Sequence, residues 1–214
     1  MDHPGYLVVD VETNALPDYK RPADAEGQPR LASIAMLFVT AELVEESIYS
    51  TLVRPLGWSM QPDATAVNGL TDEMLHELGI PVDEVLRAYG AAIEAGRAVI
   101  AFNSRFDLKT LRGELRLAGM DDLFEQTPNW CTMRAANPLV KAVGKTGRPK
   151  FPRLEEACRH FGIEAADVHS ALGDALACLE LARALVAAGV PIDPQVHHAS
   201  RLLPGGPSIV AASA

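Results

Sequence analysis

The chain has few cysteines, no long apolar run and little positive charge, and each scarcity removes a class of protein. Its 214 residues hold three cysteines, Cys131, Cys158 and Cys178, an odd and widely spaced set. They make neither a disulfide framework nor a CxxC zinc site and read as reduced, mostly buried thiols. The apolar runs fall far short of the ~20 residues that span a bilayer. "MDHPGY" enters the first strand without a basic n-region or signal-type apolar core. A cytoplasmic protein with no membrane partner is therefore expected. The net charge of −9 argues against generic affinity for nucleic acid. There is also no internal repeat.

What remains is ordinary for a soluble enzyme or binding module, with 48% hydrophobic and 22% charged residues. The length suits one domain, expected over residues 1–187, with a Pro/Gly/Ala-rich and loosely ordered tail over 188–214. The acidity is uneven. From Thr127 to Leu154 there is no Asp or Glu, whereas Arg134, Lys141, Lys145, Arg148, Lys150 and Arg153 are all basic. Such a segment can hold a phosphate backbone, and it can equally be a solvated loop.

"GYLVVDVE" reads as a short buried strand, followed by the polar, Pro-rich loop "PDYKRPADAEGQP". "RLASIAMLFVT" and "ESIYSTLVRP" read as an antiparallel strand pair. Two short helical turns follow, the second with Thr71 as N-cap, and then a helix over "VDEVLRAYGAAIEAG". "RAVIAF" is another buried strand, leading into a helix capped by Ser104 and closed by Gly119. "NWCTM" is a last short strand, before a helix start that Pro138 must kink or restart. After the loop "GKTGRPKFP" come two helices, "RLEEACRHFGI" and "SALGDALACLELARALVAAG". This order predicts an α/β domain with a mixed sheet, whose ligands sit at the carboxyl ends of strands.

At such an end stand Asp10 and Glu12. Residues i and i+2 of a strand share a face. Two charges roughly 6 Å apart repel by about 3 kcal/mol at an effective dielectric near 20. Something must offset that repulsion, or water must screen it. Asp107 lies in the first turn of the helix after "RAVIAF", and His169 and Asp174 lie at the start of the last long helix. Singly, each has a plain structural explanation. A D-x-E pair arises by chance, "SRFD" resembles a capping box, His169 can be a surface histidine, and Asp174 can answer a helix dipole. Together they are four carboxylates and a histidine at the ends of a strand and two helices. Hard divalent cations prefer carboxylate and water oxygens. Two of them about 3.5–4 Å apart clamp the attacking and leaving oxygens of a phosphodiester. A histidine adds the general base that an all-carboxylate site lacks.

"VVDVETNAL", "AVNGLTDEML", "AFNSRFDLKTL", "CTMRAA" and "RLEEACRHFGI…HSALGDALACLELA" stand in the order and spacing of one family. Over roughly residues 5–187 the chain resembles the DEDDh 3′-5′ exonucleases. These include the proofreading subunit of the bacterial replicative polymerase, RNase T and oligoribonuclease. The resemblance implies a ribonuclease-H-like α/β fold with a mixed five-stranded sheet flanked by helices. It implies that Asp10, Glu12, Asp107 and Asp174 hold two divalent cations, Mg²⁺ or Mn²⁺, and that His169 is the general base. The reaction implied is release of nucleoside 5′-monophosphates from single-stranded 3′ ends, with DNA favoured over RNA. RNA trimming of the RNase T or oligoribonuclease type is the alternative. A second alternative is a proofreading subunit acting mainly through a DNA polymerase or another replication or repair protein.

By the same analogy Thr13 contacts the 3′-terminal nucleotide and Leu16 packs against its base. Phe102 stands where the family usually has a histidine before its Asn, here Asn103, and both join the substrate-binding candidates. Lys145, Arg148 and Lys150 complete them. Asn14-Ala15 replaces the family's frequent Thr-Gly, and the loop after it is longer than minimal members need.

Overall fold

Alternation along the first strand sets the layout of the whole domain. In the computed structural model, which describes residues 4–164 and 169–196, β1 spans Tyr6–Thr13. Its even-numbered residues Tyr6 and Val8 join one buried cluster, and the odd-numbered Leu7, Val9 and Val11 join another. Both faces are apolar, so helices must cover both. β2 (Leu31–Val39) and β3 (Glu45–Leu52) extend the sheet antiparallel on one side. β4 (Ala98–Ala101) and β5 (Asn129–Cys131) extend it parallel to β1 on the other. The sheet order is β3-β2-β1-β4-β5, the mixed five-stranded sheet implied by the resemblance.

Seven helices are described: α1 (Pro62–Asn68), α2 (Asp72–Leu78), α3 (Val82–Glu94), α4 (Arg105–Leu117), α5 (Thr132–Val140), α6 (Leu154–His160) and α7 (Ala171–Ala187). Val85, Leu86 and Tyr89 of α3 and Leu111 and Leu115 of α4 pack on the odd face of β1. Leu179, Leu181, Ala182 and Leu185 of α7 pack on the even face, with α5 and α6 beside them. α7 carries apolar residues nearly all round, as suits a helix laid across the sheet. Among the described residues no helix is long and apolar enough to cross a membrane.

Several local expectations hold. Thr71 caps α2 by accepting from Met74 N–H at 3.2 Å. Gly96, Gly119 and Gly162 follow their helices with positive φ, as helix stops do. Three differ. Ser104 is already helical and makes no cap; its hydroxyl bonds instead to Asn129 Oδ1 at 2.7 Å, tying α4 to β5. The "NWCTM" strand stops at Cys131, and α5 starts at Thr132. Pro138 neither breaks nor restarts α5, because it lies near the C-terminal end and the helix stops two residues later.

Past α7 the chain stays on the domain for some distance. Val190 and Ile192 pack on the core, and Gln195 exchanges both backbone hydrogen bonds with Asn129 at 2.9 Å. This covers the open edge of β5. The rest of the expected tail, 197–214, lies outside the described residues.

Candidate active site

β1 and β4 pair only through Tyr6–Val8 and Ala98–Ile100. Beyond that point their carboxyl ends part, and a crevice opens where the chain connections diverge, the usual ligand position in such sheets. The even face of β1 continues from Tyr6 and Val8 into Asp10 and Glu12, so both carboxylates aim toward the α7 side. Ser170 caps α7 by accepting from Gly173 N–H at 3.0 Å, and this sets Asp174 in the first turn. Oxygens of Asp10, Glu12 and Asp174 all lie within 4.8 Å of one another.

Asp107 reaches the crevice from the opposite face. Where β4 no longer pairs, Val11 N–H is left over from the ladder, and Asp107 Oδ1 accepts it at 3.1 Å. The capping role suggested by "SRFD" is not the one it plays. Asp107 is 1% exposed, and its Oδ2 has no hydrogen-bond partner. A buried carboxylate oxygen left unpaired costs free energy unless something else satisfies it.

The electrostatics agree with the geometry. Burial, then the charges of Asp107, Asp174 and Glu12, hold the Asp10 carboxyl well above the carboxylate range. Burial, followed by repulsion from Glu12 and Asp174, does the same to Asp107, against backbone hydrogen bonds that lower it. Burial raises Glu12 from 4.5 to about 7 and Asp174 adds to the rise, while a hydrogen bond from Asn68 works the other way. That bond, from Asn68 Nδ2 to Glu12 Oε2, measures 3.3 Å. Three clustered carboxylates with a fourth beside them, an orphaned oxygen and mutually raised affinities for protons fit a divalent cation site. The donors are all oxygen, which suits Mg²⁺ or Mn²⁺.

His169 lines the same cavity, of about 470 Å³. It sits in a turn at φ 69° just ahead of the Ser170 cap, and its N–H donates to Asp174 Oδ1 at 3.4 Å. Phe102 and Asn103 also line the cavity, with Asn103 at φ 61° bending the chain from β4 into α4. The sequence reading missed other walls. Met133, Leu154 and Arg153 contribute, and Arg153 is the lining residue with a permanent positive charge. Asn68 was also missed as a site residue, although it lies in the quoted "AVNGL" block.

Other candidates stand apart from this cavity. Thr13 is buried, and its hydroxyl donates to Ala15 O at 2.7 Å. Leu16 is 87% exposed. Asn14 is structural: its Oδ1 accepts from Arg30 N–H at 2.7 Å and its Nδ2 donates to Ser59 O at 2.8 Å. Lys145 and Arg148 are exposed on a turn whose ends meet at Val143 and Pro149. Lys150 is engaged otherwise, with Nζ 2.7 Å from Glu156 Oε1.

Comparison with known proteins agrees with this geometry. The model of the RNase T exonuclease family matches residues 7–182. DNA polymerase III subunit epsilon of Treponema pallidum (strain Nichols) is 29% identical over 140 residues, covering 65% of this chain and 60% of that protein. E. coli exonuclease I bound to a dT13 oligonucleotide superposes with a TM-score of 0.70 at 20% identity, over 83% of this chain and 40% of that one. Exonuclease I from Methylocaldum szegediense gives 0.70 at 23% identity, over 85% and 40%. The fold is thus the ribonuclease-H-like exonuclease fold. This chain spans 60% of the epsilon subunit's length and well under half of the exonuclease I chains it matches.

Proposed function

Because the chain belongs to the RNase T family of DEDDh 3′-5′ exonucleases, a family of phosphodiester hydrolases, we propose that it removes nucleoside 5′-monophosphates from the 3′ ends of single-stranded DNA. The observation that carries this reading is the convergence of Asp10, Glu12 and Asp174 within 4.8 Å beside the unpaired Oδ2 of Asp107. Asp10, Glu12, Asp107 and Asp174 would hold two divalent cations, which would supply Lewis acidity for phosphodiester hydrolysis.

The chain's own residues do the rest. His169, on the wall of the same cavity, takes the proton from the attacking water. The main-chain bond from His169 to Asp174 ties the base to the acid cluster. Val11 N–H and Asn68 fix the rotamers of Asp107 and Glu12, so the acids need no rearrangement when substrate arrives. Arg153 faces the cavity from the α6 side, where it draws a phosphate toward acids that would otherwise repel it. Phe102 offers an apolar wall to the terminal sugar and base. Thr13 and Leu16 hold the terminal nucleotide only if it extends past this cavity along the loop after β1.

On the α6 side the strand would pass exposed Phe151, with Arg134 5.9 Å from its ring centre, and then Lys145 and Arg148. An aromatic ring with nearby cations suits sequence-tolerant single-strand binding. DNA rather than RNA is favoured by the relatives, a polymerase subunit and an exonuclease bound to oligo-dT. The polymerase relative also supports a replication or repair partner and a proofreading or repair role. The test is cleavage of 5′-labelled single-stranded DNA and RNA with Mg²⁺, Mn²⁺ or chelator. A metal-dependent ladder shortening from the 3′ end, faster on DNA, is expected. Internal fragments, or cleavage that survives chelation, would overturn the reading.

A further inference from the structure

The long loop after β1 is not a slack insertion. Gln28 is 8% exposed and stitches it from within: Nε2 donates to Asp18 O at 2.8 Å and Pro22 O at 2.7 Å, and Oε1 accepts from Asp18 N–H at 3.0 Å. From α4, Lys109 Nζ donates to Asp18 O at 2.8 Å and Arg21 O at 2.6 Å. The loop backbone lies so close to α4 that a Cβ on Gly113 would come 2.6 Å from Ala23 O. Glycine at that position is what lets the loop seat. A loop of this length free in solvent has no need of a buried glutamine or a glycine contact.

What this anchoring holds in place is Tyr19. Tyr19 is 38% exposed, Arg105 sits over its ring with the guanidinium carbon 4.2 Å from the centroid, and its side chain lies by Asn103 of the cavity wall. Arg105 opens α4, two residues before Asp107, and enters no ion pair among the described residues. An exposed ring backed by an unpaired guanidinium presents a π-face for a base and a cation for the adjoining phosphate. A rigid loop costs little ordering entropy when it binds.

We infer that Tyr19 and Arg105 form a nucleotide platform at the α4 lip of the cavity, which stacks a base lying 5′ of the scissile bond. This rests on the exonuclease reading and adds a specificity determinant to it: the platform makes the enzyme sensitive to the presence of a base at one upstream position. Strands too short to reach it gain nothing from it.

The test is equilibrium binding, in chelator, of fluorescein-labelled single-stranded DNA in which an abasic residue is walked upstream from the 3′ end. Wild-type cleavage of the intact strand with Mg²⁺ is run alongside. Tyr19→Ala weakens binding of the fully based strand about 5- to 160-fold, the range for loss of one stacked base. At one abasic position that penalty disappears. Tyr19→Phe keeps wild-type affinity. Tyr19→Leu, which keeps apolar bulk for packing, loses as much as Tyr19→Ala. Arg105→Gln lowers the salt slope by about 0.7, one phosphate contact on a single strand. A Tyr19→Ala penalty equal at every abasic position, or Tyr19→Leu binding like wild type, would overturn the platform while intact wild-type cleavage leaves the exonuclease reading standing. Failure of the wild type to cleave 3′ ends would overturn both.

Discussion

The acids of the site and its histidine are built on opposite principles. Asp10, Glu12, Asp107 and Asp174 stand on a central strand and two long helices, and Asp107 is almost wholly buried. His169 stands on an exposed turn at positive φ, with one long main-chain bond to the cluster. The difference fits two jobs. A cation cage needs fixed, desolvated oxygens whose repulsion the cation relieves. A general base, the role proposed for His169, must exchange its proton with solvent between turnovers, and an exposed turn lets water reach it.

Removing a member of the cage gives the largest expected effect. Asp174→Ala or Asp10→Asn lowers the cleavage rate by roughly 10³-fold or more, since bound cations contribute several kcal/mol to the transition state. The same variants lose the thermal response to metal. In the wild type, Mg²⁺ or Mn²⁺ at about 100 times its Kd adds about 2.7 kcal/mol, or roughly 5–10 °C in Tm. His169→Gln separates the two halves: cleavage falls by about 10²–10⁴, whereas the metal-induced Tm shift stays at the wild-type value. A lost Tm shift in His169→Gln would erase the distinction between cage and base.

Acidity sharpens the same contrast. Without metal, Glu12 keeps a proton in the folded state up to about pH 7, while the unfolded chain loses it near 4.5. The folded state then binds more protons than the unfolded one across that window. Metal-free stability therefore falls as pH rises from about 4.5 to 7. Cation binding must displace that proton, so metal affinity rises over the same range. Melting curves at pH 5.5 and 8 check both, with the larger Mg²⁺-induced shift expected at pH 8. The smallest effect belongs to the basic turn. Lys145→Glu with Arg148→Glu weakens DNA binding and flattens its salt dependence, by about 0.7 in slope per lost phosphate contact. Lys150 adds little to this, because Glu156 already engages it.

Much of the cage was legible in the sequence, for a physical reason. The strict two-residue period of a strand put Asp10 and Glu12 on one face, Asp107 and Asp174 fell at helix starts, and the resemblance implied that all four meet. That the sheet is mixed followed from an antiparallel strand pair ahead of strands alternating with helices, whereas its order, with β1 central and β4 beside it, came only from the structure. What the sequence hid were contacts between distant segments. Nothing local reveals that Val11 N–H would be spare for Asp107, ninety-six residues away. Nor does it reveal that Ser104 would turn to Asn129 rather than cap its own helix. Gln28, one polar residue in a polar loop, gave no sign that it staples the segment carrying Tyr19. Pro138 misled because its effect depends on how soon the helix ends.

Every role proposed for these residues depends on the acid cluster being a divalent metal site. Anomalous diffraction from crystals soaked in Mn²⁺ tests this directly. A Mn²⁺ peak is expected at oxygen-ligand distance from Asp10, Glu12 and Asp174, on the side that Asp107 faces, with no such peak in Asp10→Asn. Crystals without Mn²⁺ among these carboxylates, at a concentration that supports 3′-end cleavage in solution, would contradict it.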